Sequence, residues 1–298
     1  MTLIQLHYFQ TVCKYNNLTK AAHELHISQP SLSNAMKELE KEFGLTLFYR
    51  HSKGLSLTEE GEQFLREAGQ LLEQEERFLR RMHELGDEKQ PVRLGVPPML
   101  SALIFPRLFQ ASREHCPEIH LQLVENGTIS NKELVLEGNL DAAIVSSDAP
   151  LPAAFGSYEM CSADIFFYLS AAHPLASRKE IDLSEVADVP LALLAEDSFL
   201  TSFLKQNFRD RDLTLNVMLN TNQLAAIWQL VENNAAATFL FDQLLPADQN
   251  IVKIPVKGLP RIQIQLVWNR KQRMSGGLKK LVHLAGQVYP GSGDARQE

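Results

Sequence analysis

Residues 28–37, SQPSLSNAMK, carry hydroxyl and amide side chains and one ammonium at helical spacing. Gln29, Ser33 and Lys37 recur every four residues with Asn34 beside them, while Leu32, Met36 and Leu39 fall on the opposite face. A carboxamide pairs two-point with an adenine edge, a hydroxyl bonds a base or a phosphate, and an ammonium suits phosphate or guanine. The chemistry is that of a helix reading a DNA groove, although a solvated helix face has the same composition. The following stretch, GLTLFYRHSKGLSLT, alternates apolar residues around a basic turn. It predicts a two-stranded hairpin with Arg50, His51 and Lys53 near its tip, where cations can follow phosphates or a narrow minor groove.

Several elements must hold that face in place. Leu6, Phe9 and Val12 predict a first helix from about Thr2 to Tyr15, closed by the turn-forming pair Asn16 and Asn17. A second, about two turns long, is expected to start near Thr19, whose hydroxyl would cap it, and to turn Ala22 and Leu25 inward. Ser28 is the expected cap of the third helix, with Pro30 in its first turn. From Thr58 to about Leu85 no proline intervenes, and Glu59, Glu60 and Glu62 suit the positive end of a helix dipole. Phe64, Leu71, Phe78 and Leu85 repeat every seven residues, as do Leu65, Leu72 and Leu79, which predicts a coiled-coil rod of roughly 42 Å and a homodimer joined along it. Two copies would present two reading helices, so the DNA site should hold two half-sites about one helical turn, or a multiple of it, apart.

Over about 60 residues the chain resembles the winged helix-turn-helix of LysR-type transcriptional regulators, with AA, SQPSLS, LE, GLTLF, R and LTEEG at that family's usual spacings. The resemblance implies a sequence-specific, DNA-binding transcriptional regulator whose DNA contacts come from Thr19, Ser28, Gln29, Pro30, Ser31, Ser33, Asn34 and Lys37, with Arg50, His51 and Lys53 in the wing region. Asn34 stands where many relatives carry Arg. Dimers that pair into tetramers, an operator duplex as partner and contact with RNA polymerase are implied with it.

Beyond GDEKQP, a linker by composition, short β-like runs alternate with helical ones. VRLGV, IHLQLVE and LDAAIV alternate with helices expected near Ser101 and Ser130. DIFFYLS, PLALL, TLNVML and ATFLF alternate with helices near Thr201 and Asn222, and IQIQLVWNR and GGLKKLVHLAGQVY add a strand and a closing helix. The fold class is mixed α/β: residues 1–58 a winged helix-turn-helix, 59–90 a linker and dimerisation helix with a hinge, and 91–298 two α/β lobes, with crossovers near 162 and 267. His173-Pro174-Leu175-Ala176 and EGNLDAAIV resemble the family's effector-binding domain, which has the fold of periplasmic solute-binding proteins and implies a small-molecule effector. In VENNAAATFLF, Asn233 and Asn234 replace the glycine-rich turn common in relatives. Ligands of α/β sheets sit at strand carboxyl ends and helix amino ends, which points to Pro98, Ser101, Thr128, Ser146, Thr201 and Asn222, with Phe199 as an apolar wall. No Lys or Arg stands among them, so a small carboxylate held by amides and hydroxyls fits as well as a neutral or partly apolar ligand.

Composition bounds the rest. With 45% hydrophobic and 22% charged residues in 298, the chain can fill two or three cores. Membrane-span runs and a signal-peptide start are both missing from the pattern, so the expected location is cytoplasmic. The net charge of −7 is uneven: residues 1–57 hold six Lys and Arg against four Glu, a net +2, leaving −9 elsewhere. Cys13, Cys116 and Cys161 are too scattered for a disulfide framework or a metal site. The chain carries no GxSxG, HExxH or phosphate-binding glycine loop, so neither an enzyme nor a cofactor is expected. The alternatives are a ligand-independent, architectural DNA-binding protein and, remotely, a solute-binding protein.

Overall fold

The computed structural model describes residues 1–51, 54–86, 91–244 and 250–290, and only the backbone of Arg50, Arg80, Arg81 and 83–86. Lys53, the Arg50 and Leu85 side chains and the linker at 87–90 thus lie outside the described residues. Two compact units divide after Gly86.

In the first unit, α1 (Leu3–Tyr15) opens with a capping box: the Thr2 hydroxyl accepts from the Gln5 amide, and the Gln5 carboxamide accepts from the Thr2 amide. Helix α2 (Leu18–Glu24) is capped by Asn17, not by Thr19. Asn16 already ends α1 in the left-handed region at φ 48°, so Asn17 is the extended residue from which Oδ1 reaches the amides of Thr19 at 2.9 Å and Lys20 at 3.0 Å. Thr19 sits inside the first turn. Helix α3 (Gln29–Phe43) begins after Ser28, whose hydroxyl accepts from Ser31 N at 3.2 Å. Leu32, Met36 and Leu39 are buried with Phe9, Val12, Ala21, Ala22, Leu47 and Phe48, while Leu25 is only partly covered. Glu40 binds the amides of Leu47 and Phe48, which aims the chain into the hairpin β1 (Phe48–His51) and β2 (Gly54–Leu57). Gly54, at φ 144°, is required there because a side chain would run into the Asn16 carbonyl, to which Leu55 N donates at 3.0 Å. That bond docks the hairpin on the α1–α2 turn.

Helix α4 (Glu59–Gly86) starts at buried Thr58, whose hydroxyl donates to the Thr46 carbonyl at 2.6 Å and accepts from Gly61 N at 2.9 Å. The seven-residue stripe divides along its length. Phe64 packs edge-on against Phe9, Leu65 lies against the same core, and Leu72 is buried with Leu6 and Ala68. Leu71, Phe78, Leu79 and Met82 are exposed. The expected dimer stripe is therefore used inside the chain at its first half, because α1 offers Leu6 and Phe9 at the same height.

The second unit holds two lobes. In the first, β3 (Val92–Gly95), β4 (Leu121–Val124) and β5 (Ala142–Ser147) run parallel in a five-stranded sheet. They are joined through α5 (Pro98–Leu103), α6 (Phe105–His115) and α7 (Thr128–Glu137). The helices expected from Ser101 and Ser130 start two or three residues earlier, because Pro98 suits a first turn and Gly127 leads into α7 in extended form. Antiparallel strands β6 (Phe155–Ala163) and β12 (Ile262–Asn269) complete the sheet in the order β4-β3-β5-β12-β6.

The second lobe centres on β7 (Ile165–Ser170), flanked by β10 (Thr238–Phe241) and β11 (Ile251–Pro255). Beside it, β8 (Leu191–Leu193) pairs with β9 (Val217–Asn220), and α8 (Phe199–Arg209) and α9 (Leu224–Glu232) belong to this lobe. Helix α10 (Gly276–Val288) closes the chain. The outward crossing falls between Ala163 and Ile165, as expected near 162. The return falls between Pro255 and Ile262 rather than near 267, because β12 pairs with β6 along its whole length and Val267 lies opposite Ala143. Strand β6 escapes the sequence pattern since a bulge leaves Met160 unpaired between the partners of Ile264 and Gln265, which breaks the two-residue alternation. Asn234, at φ 55°, supplies the left-handed turn before β10 that glycine gives elsewhere.

Burial pushes the Cys13 thiol up to about 12 and raises that of Cys161, so both are protonated packing groups at neutral pH. Asn17→Ala should weaken α2 by about 1 kcal/mol, read as faster hydrogen exchange of its amides, with Thr19→Ala nearly silent. The reverse order would return the cap to Thr19.

Candidate nucleic-acid interface and ligand cleft

Helix α3 exposes Gln29, Pro30, Ser31, Asn34 and Lys37 and half-exposes Ser33, while Leu32, Met36 and Leu39 are buried. The expected reading edge is thus one continuous strip. Two of its hydroxyls are already engaged, since Ser28 Oγ and Ser31 Oγ bond each other at 2.7 Å and Ser28 also caps the helix. Asn34 donates from Nδ2 to Glu38 Oε1 at 3.0 Å, and Gln5 Nε2 donates to Glu38 Oε2 at 3.2 Å. Glu38, unforeseen in the sequence, ties the Asn34 carboxamide to α1; its spacing of four from Asn34 was the available signal. Thr19 is exposed at the start of α2, and His51 is exposed with Nε2 2.8 Å from Ser56 Oγ. Arg50 is carried on β1, its side chain being outside the described residues.

In the second unit a narrow cleft of about 320 Å³, its open mouth included, lies between the lobes. Pro98, Thr128, Ser146, Phe199 and Asn222 line it, together with Pro97, Met99, Leu100, Gly127, Leu194, Ser198 and Leu200. Ser101 and Thr201 do not. Thr201 is buried with its hydroxyl donated to the Leu194 carbonyl at 2.8 Å, and Ser101 sits within α5 with its amide donated to the Pro97 carbonyl. Each stands inside its helix, which starts two or three residues earlier. Among the described residues, no Lys or Arg lines the cleft. Its polar groups are the Thr128, Ser146 and Ser198 hydroxyls, the Asn222 carboxamide and the first amides of α8, for which Ser198 offers no side-chain cap. The arrangement suits hydrogen bonding to a small, partly apolar molecule.

Comparison with known proteins gives two family matches. The family model described as bacterial regulatory helix-turn-helix protein, lysR family, matches residues 3–62, and that of the LysR substrate binding domain matches residues 86–289. The HTH-type transcriptional regulator YwbI of Bacillus subtilis is 30% identical over 278 residues, covering 90% of this chain and 88% of the relative. The Hca operon transcriptional activator HcaR of Escherichia coli is 27% identical, covering 95% and 96%. Among solved structures, full-length CbnR complexed with its target DNA superposes with a TM-score of 0.72 at 20% identity, covering 97% of this chain and all of that one. At that identity the likeness speaks for the fold.

Thr201→Val should destabilise the second unit by about 1 to 3 kcal/mol, because the Leu194 carbonyl is left buried and unpaired. Urea unfolding reads this, and unchanged stability would put the Thr201 hydroxyl back into the cleft.

Proposed function

Because the chain belongs to the LysR family of DNA-binding transcriptional regulators, we propose that the α3 edge formed by Gln29, Ser33, Asn34 and Lys37 enters the major groove of an operator. It is a regulator with an effector-binding domain and not an enzyme. The observation that supports this edge is that α3 buries Leu32, Met36 and Leu39 while leaving every one of those polar residues wholly or half exposed. Ser28 and Ser31 fix the start of the helix and bring its first amides to a phosphate. Thr19 and His51 flank that position, and Arg50 and Lys53 join the wing by their place in the sequence.

Two chains pair along α4, where Leu71, Phe78 and Leu79 are exposed, and dimers pair into tetramers. The operator then has two half-sites about one helical turn, or a multiple of it, apart. The regulator acts in the cytoplasm and meets RNA polymerase at its promoter; among the described residues no helix is long and apolar enough to cross a membrane. A small molecule, neutral or carrying a carboxylate held by hydroxyls and amides, binds in the interlobe cleft. Its binding changes the placement of the lobes and, through the paired rods, the separation of the reading heads.

Asn34→Ala should weaken binding to the cognate operator by about 1 to 3 kcal/mol and leave random duplex unaffected; equal loss on both would make Asn34 a phosphate contact. Phe78→Glu with Leu79→Glu should leave monomers in sedimentation at micromolar concentration, and an intact dimer would move the interface elsewhere. Operator DNA should change effector affinity by the same factor as effector changes operator affinity. Affinities independent of each other would remove the allosteric reading.

A further inference from the structure

An anion of the protein's own stands beside the cleft. Asp197 stands in the turn between β8 and α8, on the second lobe, and its carboxylate reaches the first. Oδ2 accepts from Gly127 N at 2.7 Å, and Oδ1 accepts from Ser130 N at 3.0 Å. These are amides at the start of α7, where Gly127 has no side chain to offer as a cap. The cap comes instead from a residue 70 positions further along the chain. The fit admits only glycine at 127, since an added methyl would overlap the Asp197 carbonyl oxygen and carboxylate.

The turn that carries Asp197 is braced on its own lobe. Ser198 N donates to the Ala195 carbonyl at 2.9 Å, and the neighbouring Glu196 carboxylate is held by Lys205 Nζ at 2.5 and 2.6 Å and by Asn220 Nδ2. Both Asp197 oxygens therefore act across the gap. Thr128 and Ser198, which flank the bonded residues, line the cleft.

We propose that Asp197 is an interlobe latch, an internal carboxylate that fills the anion position at the start of α7 and ties the two lobes together beside the cleft. Helix amino ends favour negative charge, and hydrogen bonds to an ionised acceptor are stronger than neutral ones. Tethering gives the carboxylate an effective concentration of millimolar order or above, so a free acid at low concentration does not displace it. A small organic acid is accordingly the class of ligand that competes with the latch, whereas a neutral ligand leaves it fastened. This regulatory meaning rests on the effector-cleft reading; the latch itself does not.

The test is chemical rescue in the full chain. Asp197→Ala should lower the melting temperature by about 4 to 8 °C through loss of two charge-assisted bonds in a unit of this size. Sodium formate, titrated to about 0.1 M at constant ionic strength with a bulky sulfonate as balancing anion, should restore it saturably, because no tethered carboxylate is left to compete with it. The unaltered chain should not respond. Asp197→Asn should melt low and stay unrescued, because its carboxamide fills the space while turning an N–H toward an N–H. If the alanine form cannot be recovered, Asp197→Ser, too short to span both amides, carries the same titration. The latch is overturned if Asp197→Ala melts with the unaltered protein, or if formate raises all forms alike. With neither DNA nor effector in the sample, the outcome is separable from any failure of the operator reading.

Discussion

Every α-helix begins with backbone amides that no preceding turn can satisfy, and in this chain the source of their acceptors decides which parts move together. In the first unit the acceptors are local: Thr2, Asn17 and Ser28 each cap the helix that follows them, and Thr58 serves α4 while also holding the Thr46 carbonyl. Such caps make the reading head a self-contained body. In the second unit α7 takes its acceptor from the other lobe, and α8 starts without a side-chain cap. The same backbone requirement is thus met within the first unit and, for α7, across the two lobes of the second.

Rigidity in the reading head has a second source. Phe9 meets Phe48 of the wing and Phe64 of the rod with ring centroids 5.2 and 5.0 Å apart, so one buried ring fixes the hairpin and the base of α4 to α1. Leu6, Ala68 and Leu72 continue that seam. A rod fastened in this way turns when the head turns. Leu71, Phe78 and Leu79 remain exposed, so only part of the stripe is covered within the unit.

Most helices and the order of the strands were legible because their signals are local. Leu32, Met36 and Leu39 announce a buried face by spacing alone, and Ser28 with Pro30 announces where that helix begins. The failures share a cause as well. Which of Asn17 and Thr19 caps α2 depends on the φ of Asn16, a backbone fact. Strand β6 has no clear pattern of its own because its bulge is defined by the partner strand, and the return crossing is set by the pairing of β12 along its full length. A hydroxyl near a helix start, such as that of Thr201, looks the same in sequence whether it faces a cleft or a neighbouring carbonyl.

Local sequence fixes the helix periods, the hairpin, the two-lobed alternation and the family resemblance, since each depends on residues within a few turns of one another. The folded chain adds that Leu72 packs against Leu6, that Gln5 of α1 holds the Glu38 carboxylate to which Asn34 donates, and that Asp197 caps a helix in the other lobe. Such pairings join residues tens of positions apart whose types are individually ordinary. No local propensity encodes them, and only the folded backbone brings the donor within reach of its acceptor.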